Sequence, residues 1–339
     1  MTALTVASGQ STADIVELMP VGLDIGNGAV KLCLPGHEIR VPSYACPVHE
    51  NLHDPPETGL VEFVASSADR EEQRWLAGYA AYQHNPEGYL KVVDDRQGKL
   101  TYGLPLLLGA LATVRYRPVW NIFVVASIHH ARAMGEALTH RLQGRHLVRF
   151  NGLETISEVS ITIAKVLDEG AGAIAYCPEA DRTHQTLVYD LGSGTTVVTV
   201  FGPKGRLIDR QVSNRGVQNL IDAIAKNPRM IRRLAAEGDR EIIRDGIERG
   251  DFIYGIQGAW SFEAIYRDEL KPWLSTVLKP ALKAGAKWTP TSRAVIAIGG
   301  GSELPLVREL LQGQGITPVP EGSWSNARGL KRIALALGG

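Results

Sequence analysis

Cysteine is scarce in this chain, neither sign of charge dominates, and no apolar run is long. The 339 residues hold only Cys33, Cys46 and Cys177. An odd number of scattered cysteines argues against a disulfide framework and suits a reducing cytoplasm. Lysine plus arginine and aspartate plus glutamate number 36 each, so the whole molecule offers no basic field for nucleic acid or for a membrane surface. The longest greasy stretch, 104–114, is broken by Pro105 and Gly109 and falls short of the roughly 18 apolar residues of a membrane span. The first twenty residues carry Asp14 and Glu17 but neither lysine nor arginine. They lack the positive start of a secretory signal, and residues 1–18 read as a short tail.

What remains is an ordinary globular composition, 44% hydrophobic and 21% charged, with length for about two domains. Val21-Gly22-Leu23-Asp24-Ile25 and Val30-Lys31-Leu32-Cys33-Leu34 flank a glycine-bearing bend, which predicts a hairpin. Residues 37–45 supply a third strand, and Pro47, Pro55 and Pro56 make 46–58 a loop. Helical spacing over 104–112 and at Met134, Leu138 and Leu142 encloses a β-rich run at 119–125. A strand at 160–163 precedes a second hairpin, Leu187-Val188-Tyr189-Asp190-Leu191-Gly192-Ser193-Gly194-Thr195-Thr196-Val197, and a strand at 207–212. Val217, Leu220, Ile221 and Ile224 mark one helix face, and further helices fill 240–285 around Pro272 and Pro280. A strand at 294–298 then runs into Gly299-Gly300-Gly301, a helix at 304–311 and a last helix over 326–337.

The informative pattern is a repeat. Asp24-Ile25-Gly26-Asn27-Gly28 and Asp190-Leu191-Gly192-Ser193-Gly194 each end an apolar strand, about 165 residues apart. This predicts two similar α/β units facing one another across a cleft. Glycines at alternate positions let backbone N–H groups approach an anion closely. Two carboxylates in one gap repel unless a cation sits between them, and a hydrated Mg²⁺, which takes few protein ligands, suits that place. Lys31 returns on the outgoing strand toward a terminal phosphate. Gly299-Gly300-Gly301, between strand and helix, leaves room for a flat or phosphorylated group. Each piece alone is as compatible with an ordinary turn; the order of the three carries the weight.

On these motifs the chain resembles the superfamily of actin, Hsp70 and sugar kinases. Val21 to Lys31 is similar to its first phosphate loop, Leu187 to Thr196 to the second, and Ala294 to Ser302 to its adenosine motif. Asp168-Glu169-Gly170-Ala171-Gly172 resembles the segment that links the two domains. Trp75-Leu76-Ala77-Gly78-Tyr79-Ala80, Ser213-Asn214-Arg215-Gly216-Val217 and Asn326-Ala327-Arg328-Gly329-Leu330 resemble, within it, the actin-like ATPases of the ParM/StbA type. The resemblance implies two related ribonuclease-H-like domains flanking a nucleotide cleft. Residues 19–182 would form the first, with 330–339 crossing back to it, and 183–329 the second. It implies ATP, with GTP as an alternative, and Mg²⁺ held through water by Asp24 and Asp190.

The same resemblance gives Glu169 the orientation of the attacking water, and Lys31 the neutralisation of phosphate charge. Gly26, Asn27, Gly28, Gly192, Ser193, Gly194 and Thr195 would cradle the phosphates. Gly299, Gly300, Gly301 and Ser302 would face the adenosine, with Glu248 near the ribose. Where many relatives carry Gly-Leu-Pro, this chain reads Ala126-Ser127-Ile128-His129-His130, and Ser193 replaces a common glycine. The function implied is a cytoplasmic ATPase that polymerises with itself for plasmid or other DNA segregation, through a DNA-binding adaptor rather than direct contact. A small-molecule kinase using the same loops, or a non-hydrolysing scaffold, is the alternative.

Three features read as ordinary structure. His49-Glu50-Asn51-Leu52-His53 matches a zinc-protease string, but the surrounding prolines deny it the helix that chemistry needs. His129-His130 reads as a loop pair. Arginines over 229–249 alternate with Glu237, Asp239, Glu241 and Asp245, as on a solvated face of ion pairs. Trp260, Trp273, Trp288 and Trp324 fit either core or subunit contact.

Overall fold

The computed structural model describes residues 18–50, 52–66, 73–181, 183–256 and 258–338. The tail read over residues 1–18 lies, but for Leu18, outside the described residues. The first ten strands are β1 (Met19–Ile25), β2 (Ala29–Leu34), β3 (His37–Pro42), β4 (Tyr44–Pro47), β5 (Leu60–Ser66), β6 (Arg74–Ala77), β7 (Leu90–Lys91), β8 (Val119–Ile128), β9 (Gly144–Phe150) and β10 (Ile156–Asp168). They form one mixed sheet in the order β3-β2-β1-β8-β10-β9-β5-β6-β4-β7. β11 (Thr186–Leu191), β12 (Thr196–Gly202) and β13 (Arg206–Ser213) begin a second sheet. After the hairpin β14 (Ile253–Tyr254) and β15 (Trp260–Ser261), it is completed by β16 (Ala294–Ile298) and β17 (Thr317–Pro318), in the order β13-β12-β11-β16-β17.

The repeat in the sequence is a repeat in topology. β1 lies antiparallel to β2 and parallel to β8, and β11 lies antiparallel to β12 and parallel to β16. Central strands covered on both faces read as near-continuous apolar runs, which is why Val21, Leu23 and Ile25 and their counterparts Leu187, Tyr189 and Leu191 are all buried. The helix Gly103–Leu111, every residue of which is buried, joins the core of the first sheet together with Leu138 and Leu142. A separate core beside the second sheet gathers Leu220, Ile224, Tyr266, Leu270 and Trp273. Trp273 is thus a core residue, and its indole N–H donates to the Gly216 carbonyl at 2.9 Å.

The chain crosses between the sheets twice, through the helix Ala171–Tyr176 and back through Ser325–Ala336. These helices pack on each other at glycines. A Cβ on Gly329 would stand 1.7 Å from the Gly172 carbonyl oxygen, and the Gly172 N–H donates to Asn326 Oδ1 at 3.0 Å. The second helix also lies against β1, where a Cβ on Gly22 would meet the Ala327 carbonyl at 2.0 Å.

Several expected elements shift for local reasons. The third strand divides into β3 and β4 around Ser43, whose hydroxyl donates to the Gly26 carbonyl. The helix expected at 304–311 starts only at Val307, because Gly300–Glu303 forms a 3₁₀ turn and Pro305 follows. The helices of 240–285 are interrupted by β14 and β15. The described residues around His49 and His53 are not helical, and no cluster of three or more metal-ligating side chains occurs among the described residues.

The crossing predicts a stability effect. Gly329→Ala forces two helix backbones apart and costs about 1–3 kcal/mol in denaturant unfolding. Gly313→Ala, where an added Cβ meets nothing within 4 Å, stays within about 0.5 kcal/mol of the parent.

Candidate functional site

The two hairpins close in the same way. The Gly26 N–H donates to the Ala29 carbonyl at 3.1 Å, and the Gly192 N–H to the Thr195 carbonyl at 2.9 Å. Their tips meet: a Cβ on Gly28 would lie 2.5 Å from the Ser193 Cβ, and one on Gly194 would lie 3.2 Å from the Asn27 amide nitrogen. Beside this contact opens a cavity of about 510 Å³. Asp24, Glu169 and Asp190 line it, and so do Gly26, Asn27, Gly28, Gly192, Ser193 and Thr195. Lys31, Glu248, Gly299 and Gly300 line it as well.

Gly194, Gly301 and Ser302 stand outside that lining. Gly301 is pressed on β11, where a Cβ would meet Leu191 Cβ at 2.7 Å. Ser302 is fully buried and donates to the Gly299 carbonyl. Gly299 makes the approach possible: its φ of +82° suits glycine, and a Cβ there would strike Asp190 Oδ1 at 2.6 Å.

The acids are held by different means. Asp24 is buried and its Oδ1 accepts from Ser127 Oγ and from Asn326 Nδ2, both at 3.0 Å. Ser127 is the residue that departs from Gly-Leu-Pro, and β-register places it beside Asp24. Burial, reinforced by the charges of Glu169 and Asp24, pushes the Asp190 carboxyl up to about 7. Burial also pushes Glu169 upward, but an ion pair with Lys99 and the nearby Arg210 outweigh it and hold its carboxyl below the ordinary value. Lys31 lies opposite Asp24 in the hairpin register, and its ammonium donates to the Ser323 carbonyl.

The far end of the cavity is walled by Val217, Ile221, Ile247, Ile298 and Leu304. Arg40 of β3 binds Glu248 there through both carboxylate oxygens at 2.7 Å. The basic helix Arg240–Arg249 is only partly the solvated face expected. Arg229, Arg240 and Arg249 make surface pairs, whereas buried Glu241 and half-buried Arg244 meet Tyr44 of the first sheet. Tyr82 adds a hydrogen bond to Asp239. Ser127, Asn326, Lys99, Arg210 and Arg40 are the residues that sequence reasoning missed as parts of this site; of these, Ser127 and Asn326 lay within segments already singled out.

The arrangement can hold an anion on backbone N–H groups beside a set of carboxylates short of positive charge. A single cation with few protein ligands fits that donor set.

Residues 22–172 match the family described as actin like proteins N terminal domain. No curated protein matches the chain in sequence. Solved structures share its fold along nearly its whole length. An archaeal actin homolog in complex with ADP aligns at a TM-score of 0.72 with 17% identity, over 94% of this chain and 100% of that one. A Bacillus thuringiensis ParM with ATP aligns at 0.69 and 19%, over 94% and 98%. A ParM of a 15-stranded filament from Clostridium botulinum aligns at 0.69 and 15%, over 94% and 99%. The fold is the mixed α/β fold of actin-like ATPases. The N-terminal segment thus matches an actin-like family in sequence, and the described chain shares the fold of the ParM and archaeal actin structures. No helix among the described residues is long and apolar enough to cross a membrane.

Asp190 generates a pH prediction. The folded chain keeps this carboxyl protonated to about pH 7, whereas an unfolded one releases its proton near pH 4. The folded state therefore binds the extra proton within that window, and this contribution to stability is lost as pH rises from about 4 to 7. In urea unfolding without divalent cations, Asp190→Asn raises stability relative to the parent more at pH 7.5 than at pH 5. An equal effect at both pH values contradicts the raised carboxyl.

Proposed function

We propose that this actin-like protein binds and hydrolyses ATP with Mg²⁺ and polymerises with itself, and that its polymer serves plasmid or other DNA segregation in the cytoplasm. The observation that carries the reading is the convergence of Asp24, Glu169 and Asp190 on one cavity between two matching glycine hairpins. In this reading residues 19–182, with 330–339 crossing back, and residues 183–329 are the two domains that flank the nucleotide.

Each part of the cavity takes one role. Backbone N–H groups of the hairpin around Gly26, Asn27 and Gly28 and of that around Gly192, Ser193 and Thr195 receive the β- and γ-phosphates. Gly194 belongs to the second loop through its contact with Asn27. Lys31 leaves the Ser323 carbonyl to neutralise phosphate charge. Asp24 and Asp190 hold the waters of Mg²⁺, which supplies the positive charge that offsets the terminal phosphates. Glu169 orients the attacking water, so that catalysis rests on positioning and charge stabilisation. The adenosine lies against Gly299 and Gly300 and the apolar wall, with Glu248 near the ribose, while Gly301 and Ser302 support that seat from behind.

Head-to-tail contact that does not close gives an open filament, and the ParM relative drawn from a 15-stranded filament supports that mode of assembly. Balanced charge favours an adaptor over direct DNA binding. Three buried free thiols suit a reducing compartment.

Sedimentation and light scattering with ATP and Mg²⁺ test the reading. Polymer forms with nucleotide, and phosphate is released without any added acceptor. A protein that stays monomeric at high concentration contradicts the filament, and ADP formation that depends on an acceptor makes it a kinase. Glu169→Ala lowers turnover at least a hundredfold and leaves ATP affinity within about threefold; unchanged turnover removes Glu169 from the mechanism.

A further inference from the structure

Glu169 follows the last residue of β10 and presents its carboxylate to two cations from different parts of the chain. Lys99, on the short helix Gly98–Thr101, contacts Oε1 and is itself buried, with 7% of its side chain exposed. Arg210, on β13 of the second sheet, places Nη2 3.5 Å from Oε2 and Nη1 3.7 Å from Asp168 Oδ1. All three guanidinium nitrogens of Arg210 are buried without a hydrogen bond; among the described residues its ion pairs are with these two acids, and the charge of Asp190 also lies within its reach. An arginine does not lose its proton in a protein, and burying it without hydrogen bonds is costly. Arg210 also lies outside the cavity lining while Lys99 and Glu169 lie within it. The guanidinium therefore acts on the site through the acids and not on a bound molecule directly.

We propose that Lys99 and Arg210 are positioning residues that grip the two oxygens of Glu169 and fix its carboxylate as the anion that orients the attacking water. The inference rests on the ATPase reading above and adds to it two residues and a route of control. One grip comes from the helix Gly98–Thr101 and the other from the second sheet, so the carboxylate is fully fixed only when the two are together. The other groups facing Glu169 are His129, whose ring is held neutral by burial and by Lys99, and the acids Asp168 and Asp190.

In the step itself the water oxygen bonds to the γ-phosphorus as the bond to the β–γ bridging oxygen breaks. ADP leaves with that electron pair, and one water proton passes to a γ-phosphoryl oxygen, giving dihydrogen phosphate. Glu169 ends unchanged. A carboxylate held ionised by two cations is a weak base, which suits orientation in a loose transition state better than early proton removal.

The test is a double-mutant cycle with Lys99→Met and Glu169→Gln, read as kcat, as KM and as affinity for a non-hydrolysable ATP analogue. Lys99→Met lowers kcat about a hundredfold with KM and analogue affinity unchanged within about twofold, and Lys99→Arg restores most of the loss. In the Glu169→Gln background Lys99→Met has no further effect on kcat, because it acts through that carboxylate. The double variant removes both members of the Lys99–Glu169 pair together, leaving neither buried alone, so it also guards against a single variant that fails to fold. Multiplying effects on kcat, or an affinity loss that matches the kcat loss, overturns the proposal and makes Lys99 a phosphate ligand. Wild-type protein without ATP turnover rejects the ATPase reading itself; normal turnover in Lys99→Met rejects the grip alone.

Discussion

Three carboxylates share one gap, Asp24 buried and Glu169 and Asp190 half-buried, and the rest of the site is arranged around holding them there. Asp24 of β1, Asp190 of β11 and Glu169, just past the end of β10, line one cavity. Burial first, and then the charges of Glu169 and Asp24, raise the proton affinity of Asp190. Glu169 escapes such a rise through Lys99 and Arg210, while Asp24 is fixed by hydrogen bonds from Ser127 and Asn326. The unequal treatment leaves Asp190 as the acid most in need of a cation. A metal-bound polyphosphate, with the ion against the acids and the anion against the glycine turns, resolves both needs at once.

The glycines of the two crossing helices matter for the same reason. Gly172 and Gly329 let backbones touch where the chain passes between the sheets, and Asn326 sits at that crossing with one side-chain bond to Gly172 and another to Asp24. The crossing and the site are thus mechanically joined. Contacts at the far rim, between Arg40 and Glu248 and between Tyr44, Glu241 and Arg244, tie the same two halves together.

Much of this was legible in the sequence because the strongest signal was a repeat. Two apolar strands ending in Asp-x-Gly-x-Gly fix strand, turn and carboxylate in one short stretch, so β1, β2, β11 and β12 and the place of both aspartates follow from local pattern alone. Lys99 and Arg210 left no such mark. Each is a single basic residue in an ordinary stretch, brought to Glu169 by contacts spanning 70 and 41 positions. Glu241 and Arg244 misled in the opposite sense, since alternating charge normally means solvent; here the partner that buries them, Tyr44, is 197 residues from Glu241. Gly301 and Ser302 follow Gly299 and Gly300 without a break in pattern, but the 3₁₀ turn rotates them toward β11 and away from the cavity.

The central claim is that one metal-bound triphosphate sits between the two hairpins. A crystal structure of the chain with a non-hydrolysable ATP analogue and Mg²⁺ tests it most directly. The account predicts terminal phosphates against Gly26 to Gly28 and Gly192 to Thr195, with the ion's waters on Asp24 and Asp190 and one water within reach of Glu169. A nucleotide bound elsewhere, or an ion with neither aspartate in its hydration shell, contradicts it.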